Sequence, residues 1–189
     1  MCSSDLRDSV AHVLGIENSQ VRIMPTACGG GFGGKLDVAV QPLIAVAAWA
    51  LDRPVACVYS RPESMVSTTK RHPSRITARA GCDRNGRLTA FTSHGDFDTG
   101  AYASWGPTVA DRVPIHATGP YFVPHLRNSS AAIHTNGPPS GAFRGFGVPQ
   151  CAIVHEALYD ELAEMAAIDP LRSEEHTSEL QSRRKLVCR

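Results

Sequence analysis

Charge of either sign is missing from this chain as a net quantity. Its 189 residues carry 19 Lys and Arg against 18 Asp and Glu, a formal charge of +1. That balance makes no electrostatic case for a nucleic acid or a membrane surface. The one basic cluster, Lys70-Arg71-His72 with Arg75, reads as a solvated loop. Cysteine is scarce too. The six are Cys2, Cys28, Cys57, Cys82, Cys151 and Cys188, and no two form a C-x-x-C. This excludes a disulfide framework and a zinc site, and it suits a reducing compartment such as the cytoplasm. Long apolar runs are lacking: "VAVQPLIAVAAWAL" is too short to span a bilayer, and Gln41 and Pro42 interrupt it. There is no fixed-period repeat and no low-complexity stretch.

The two ends do not continue the body. "RSEEHTSELQSRRKLVCR" has no apolar periodicity, and its opening reads as a translated sequencing adapter. "MCSSDL" reads as the opposite strand of the same adapter. The expectation is that residues 1–6 and 172–189 are adapter-derived, and they are set aside from fold reasoning; the alternative is a genuine basic tail. Without the tail's five basic and three acidic residues and without Asp5, the body 7–171 holds 14 of each sign. It is long enough to bury one core.

Along the body, Asp8–Gly15 predicts a short helix that Gly15 ends. "SQVRIM" predicts a strand halted by Pro25. A helix follows within Asp37–Leu51, largely buried by its composition, starting near Asp37 or at Gln41-Pro42. "PVACVYS" predicts a buried strand, and "RPESM" a short helix with Pro62 in its first turn. "SRITARAGCDRNGRLTAFTSHGDFDTGAY" predicts two long strands joined at Asn85-Gly86. Thr108–Thr118 predicts a short helix and "LRNSSAAIHTN" a strand. Val148–Ala167 predicts an amphipathic helix, with Ile153, Ala157, Leu158, Leu162 and Met165 on one face and Glu156, Asp160, Glu161 and Glu164 on the other. The class is α+β, long antiparallel strands with packed helices.

Two glycine-rich stretches stand out, "ACGGGFGGKLD" and "GPPSGAFRGFG". The first is a poor nucleotide P-loop. Gly29, Gly34 and Lys35 match, but Leu36 stands where a hydroxyl must hold Mg²⁺. It also fits a dinucleotide fingerprint through Gly29, Gly31 and Gly34. Against this, Pro25–Cys28 separate strand from glycine, and no acid ends the next strand; Arg61 would instead suit NADP. An NADP-binding Rossmann-like module is thus the alternative. The third reading takes both stretches together. Gly31-Phe32-Gly33 and Gly145-Phe146-Gly147 share a Gly-Phe-Gly core. Bare backbone can approach a flat polar ligand and aim N–H groups at it, each ring can pack on it, and Arg144 adds fixed positive charge. The residues alone equally allow two surface turns.

"GGGFGGK" and "GAFRGFGVPQ" in this order, with "GAYASWG" and "GPYFVPHLR" between them and "LYDELAEMAAIDPLR" after, resemble the molybdenum-cofactor subunit of the xanthine dehydrogenase/aldehyde oxidase family. The similarity runs from about Val21 to Leu171. It implies that residues 7–171 are part of the molybdopterin-binding domain of a molybdenum hydroxylase, an enzyme that places water-derived oxygen on an electron-poor carbon of an aldehyde or N-heterocycle. By resemblance, Gly31, Phe32 and Gly33 lie against the metal centre through backbone N–H groups. Arg144, with Ala142 and Phe143 beside it, contacts the metal–pterin end, so molybdenum is held through the pterin near Phe32 and Arg144 and not by side-chain ligands. Phe146 and Arg112, which lies 32 residues before Arg144, are implied substrate residues. Arg112 read by itself is a surface arginine paired with Asp111. Leu36 takes the place of a substrate-binding glutamate common in purine-oxidising members, which puts xanthine in doubt. The catalytic glutamate is expected beyond Leu171, as are iron–sulfur (2Fe-2S) and FAD partners. The pterin form, cytosine dinucleotide or not, stays open, and an isolated piece is expected to be inactive.

Three further constellations read as ordinary structure. His94, Asp96 and Asp98 share one strand face, an arrangement that could ligate a metal but is most simply the wet face, with Phe97 inward. "GPPSG" places Ser140 too late for a nucleophile elbow. His116, His125, His134 and His155 have no ligand spacing.

Overall fold

The structure is a computed structural model that describes residues 3–27 and 29–170; Met1, Cys2, Cys28 and residues 171–189 lie outside the described residues. The fold divides into two compact units. The first comprises Met1–Arg71, Thr99–Trp105 and His134–Arg144, and the second His72–Asp98, Gly106–Ile133 and Gly145–Arg189.

In the first unit, helix α1 spans Ser3–Leu14, starting earlier than the apolar stripe predicts, and Gly15 ends it at a φ of 67°. "SQVRIM" is not a strand. Asn18–Gln20 form a 3-10 turn capped by Glu17, and residues 21–27 run on without pairing. "PVACVYS" is likewise unpaired; Val58 is 91% exposed. Both segments have strand composition, yet a strand exists only by hydrogen bonding to a neighbour, and none adjoins them among the described residues. Helix α2 spans Gln41–Leu51 with Pro42 in its first turn, where the missing N–H is harmless. It packs against α1, but the expectation that it is largely buried is wrong: none of its residues is, and Leu43 and Trp49 are each 65% exposed. It is apolar all round, so one neighbouring helix cannot cover it. Helix α3, Arg61–Ser67, starts where Ser60 and Glu63 form a capping box, with Pro62 in the first turn.

The second unit holds the sheet, in the order β1-β2-β3. Strands β1, Ser74–Cys82, and β2, Leu88–Gly100, are the predicted antiparallel pair, with Ser74 opposite Phe97 and Cys82 opposite Leu88. Asp83 accepts from the N–H groups of Asn85 and Arg87, and Gly86 takes a φ of 79° to close the turn. Helix α4 spans Gly106–His116 and strand β3 His125–His134. Ser93 bonds Asn128, and His94 bonds Ser129. The offset between partners is constant, as in parallel strands, so β3 runs with β2, and α4 is the crossover that parallel pairing requires. The expected α+β class, with its long antiparallel pair and packed helices, is what the fold shows, and β3 adds to it a strand running with β2.

Helix α5, Val148–Met165, packs on β1 and α4. Its buried stripe is Cys151, His155, Tyr159 and Ala163, a four-residue repeat down one face. Leu158 and Leu162 flank that stripe, but Ile153 and Met165 are 73% and 82% exposed, against the predicted face. Shape decided the face. Tyr159 packs edge-on against Phe91 and Tyr121, with ring centroids at 6.1 and 4.9 Å. Gly119 leaves room for His155, since a Cβ there would lie 2.6 Å from Nε2, and the His155 Nδ1 pairs with Ala117 O at 3.1 Å. The core forms two clusters, one around Phe91, Tyr159 and Leu88, the other around Phe97, Val109, Val113 and Cys151. Burying Phe91 and Phe97 stabilises the unit by about 1.5–3 kcal/mol each.

Candidate cofactor site

The first glycine stretch is a tight loop. Gly30 and Gly33 take φ of 72° and 95°, and Phe32 between them takes 51°, left-handed and strained for a bulky residue. Gly34 N–H donates to Gly31 O at 2.9 Å and Leu36 N–H to Gly33 O at 3.2 Å. Lys35 Nζ folds back onto Gly30 O at 2.6 Å. The lysine therefore closes its own loop, whereas a P-loop lysine reaches outward to phosphates. The Phe32 ring is 64% exposed.

The middle of the second stretch, Ala142 to Arg144, meets this loop inside the first unit. A Cβ on Gly33 would lie 2.6 Å from Ala142 O and 2.8 Å from Phe143 Cα, so only glycine permits the approach. The Arg144 guanidinium stands 5.6 Å from the Phe32 ring centre. Arg71 Nη2 donates to Arg144 O at 2.8 Å, and its guanidinium lies 4.5 Å from the Phe143 ring centre. All six expected cofactor residues, Gly31 to Gly33 and Ala142 to Arg144, thus come together. Arg71 joins them, although its sequence context read only as a solvated loop. Its signal was weak: a basic residue more than seventy positions from its partner.

The cluster fits a flat anionic cofactor. It has two cations, an exposed ring, and main-chain N–H groups at Gly31, Phe32 and Gly33 that have no protein acceptor among the described residues. Leu36 is half-buried beside the loop and brings no polar group.

The second unit carries Gly145-Phe146-Gly147, whose Phe146 and Gly147 have φ of 46° and 88°. Phe32 and Gly33 have nearly the same pair of φ values, so the two Gly-Phe-Gly cores share the turn at Phe-Gly, while their first glycines differ: Gly145 has a φ of 94° and Gly31 has no positive φ. Gly147 is obligatory: a Cβ would lie 2.8 Å from Val109 O. Arg112, on α4, stands 5.2 Å from the Phe146 ring centre. Two of the three expected substrate residues, Arg112 and Phe146, are therefore partners, and no ion pair joins Arg112 to Asp111 among the described residues. His94 Nε2 lies 3.3 Å from Asp96 Oδ1. No group of three or more His, Cys, Asp or Glu is placed to hold a metal among the described residues.

The molybdopterin cofactor-binding domain family matches residues 1–176. The chain is 46% identical to the nicotinate dehydrogenase large molybdopterin subunit of Eubacterium barkeri over 165 residues, covering 87% of this chain and 39% of that protein. Among solved structures it is similar to quinoline 2-oxidoreductase from Pseudomonas putida 86, with a TM-score of 0.83 at 29% identity over 93% of this chain and 23% of that one. The aldehyde oxidoreductase of Desulfovibrio gigas gives a TM-score of 0.79 at 31% identity, over 90% of this chain and 19% of that one. The chain thus spans well under half the length of these relatives. Neither they nor the loop geometry support the NADP-module alternative, since no strand leads into the first glycine loop among the described residues. With the family match extending over nearly the whole sequence, this chain belongs to the molybdopterin cofactor-binding domain family.

Proposed function

We propose that the chain is the cofactor-holding part of a molybdenum hydroxylase, and that its own job is to grip the pterin at Phe32 and Arg144. The observation that carries this is the cation stacked on an exposed ring, between two backbone segments pressed together at Gly33 and Ala142. The N–H groups of Gly31, Phe32 and Gly33 supply donors toward the cofactor, and Arg144 and Arg71 balance its negative charge. When bound, the molybdenum cofactor supplies a water-derived nucleophile and an electron sink. Arg112 and Phe146 orient the substrate through charge and ring stacking.

An N-heterocycle is the favoured substrate class. Two relatives are named for nicotinate and quinoline, and Leu36 offers no hydrogen bond to a purine's polar edge. An apolar aldehyde is the second choice. The catalytic glutamate, the 2Fe-2S and FAD groups and any cytosine dinucleotide on the pterin are expected of the rest of the enzyme, so the piece alone would not turn over. The free thiols of Cys57, Cys82 and Cys151 favour the cytoplasm, and no helix among the described residues is long and apolar enough to cross a membrane. Residues 1–6 and 172–189 are proposed to be foreign to the parent protein. The test is to express the full-length gene with its partner subunits, measure molybdenum and pterin, and assay nicotinate, quinoline, xanthine and benzaldehyde. Cofactor-loaded protein active on a heteroaromatic substrate supports the reading; folded protein without pterin refutes it.

A further inference from the structure

Asp37 ends the first glycine stretch, and the expected cofactor contacts do not include it. Its Oδ1 accepts a 2.6 Å hydrogen bond from Ser104 Oγ. Its Oδ2 is buried and has no hydrogen-bond partner among the described residues. That oxygen faces the second stretch: a Cβ on Gly141 would lie 2.6 Å from Asp37 Oδ2, 2.7 Å from Thr69 Cβ and 2.8 Å from Ser104 Oγ. Gly141 N–H is itself tied to Lys70 O at 2.9 Å. The next residue, Ala142, is the one whose carbonyl abuts Gly33. Segments Gly33–Asp37 and Gly141–Ala142 therefore approach each other at two points, and each point needs a glycine. Ser104 holds a left-handed φ of 43°. Such strain persists where surrounding contacts over-determine it, and the bond to Asp37 is one such contact.

We propose that Asp37 is a positioning residue: with Ser104 it fixes the register of the two glycine segments and so sets where Arg144 stands over Phe32. Simple capping of the first loop would not require a buried carboxyl oxygen pressed on Gly141. The assignment deepens the cofactor-holding function above and rests on it.

The test uses the full-length protein in two states. Apo protein comes from a host unable to make the pterin, and loaded protein from one that makes it. Asp37→Ala, Ser104→Ala, the double variant and Asp37→Asn are compared. In apo protein, Asp37→Ala and Ser104→Ala each speed amide exchange at Gly34 and Leu36 by about tenfold, roughly what one hydrogen bond to a charged group is worth. The double variant is no worse than either single, because both remove the same bond. Asp37→Asn keeps an acceptor for Ser104 and stays within about twofold of the parent. In loaded protein, pterin content falls in the same order. Unchanged exchange in both single variants, or effects that multiply in the double, overturns the assignment. A parent protein that never binds pterin refutes the cofactor function, while the exchange data still decide on Asp37. Should Asp37→Ala fail to fold, Ser104→Ala, which removes one hydroxyl, carries the same prediction.

Discussion

The guanidinium of Arg144 stands 5.6 Å from the centre of the Phe32 ring, and it joins two glycine segments far apart in sequence. The ring is exposed and the cation lies near it, so a flat anionic ligand has both a face and a charge to meet. Replacing Arg144 with Ala should lower pterin retention by about tenfold, while Lys should recover part of it, since it keeps charge but loses the planar fork. Pterin and molybdenum remaining after dialysis of the full-length variants measure this.

Gly33→Ala should be far more damaging than its size suggests. Its φ of 95° disfavours any side chain, and the added Cβ would sit 2.6 Å from Ala142 O. A local loss of about 2–4 kcal/mol is expected from strain and overlap together. Gly29→Ala, with nothing within 4 Å of the new atom, should change stability by less than about 1 kcal/mol. Hydrogen exchange of the loop amides in the full-length protein distinguishes the two.

The hairpin, α3 and the extents of α4 and β3 were legible because their signals are local: Asn85-Gly86, the Ser60–Glu63 cap and short apolar runs. The glycine stretches were legible as a pair, yet their contact was not, because it depends on carbonyl and Cα positions at Ala142 and Phe143. What failed was non-local. "SQVRIM" and "PVACVYS" have strand composition without a partner. The α5 face follows ring packing at Tyr159 and the space left by Gly119, which hydrophobic periodicity cannot register. Arg71 and Asp37 were invisible as site residues because each acts through a backbone distant in sequence.

On α5, Ile153→Ser should leave stability within about 0.5 kcal/mol, because the side chain is exposed. Phe97→Ala, which empties a fully buried site, should cost about 3–5 kcal/mol. Tyr159→Phe should be neutral or stabilising: its buried hydroxyl has no hydrogen-bond partner among the described residues, and removing it relieves that penalty. Thermal unfolding of the full-length variants ranks the three.

Burial pushes the Cys151 thiol up to about 11 from its ordinary value of 9.0. A folded-state value above the unfolded one means that the thiol's contribution to stability is intact below about pH 9 and is lost as pH rises through 11. In native protein at pH 8, iodoacetamide should therefore label exposed Cys57 and spare Cys151. Labelling of Cys151 should appear only as the pH approaches 11, read by mass spectrometry of the peptides. Equal labelling of both at pH 8 would contradict the buried position of the thiol.

The most direct measurement is the molybdenum and pterin content of the full-length parent protein, purified with its partner subunits and compared with its Arg144→Ala variant. Stoichiometric molybdenum and pterin in the parent, with a clear loss in the variant, is the expected result. A folded parent protein free of both, or a variant that keeps its full complement, would contradict the assignment of Phe32 and Arg144 as the cofactor's grip.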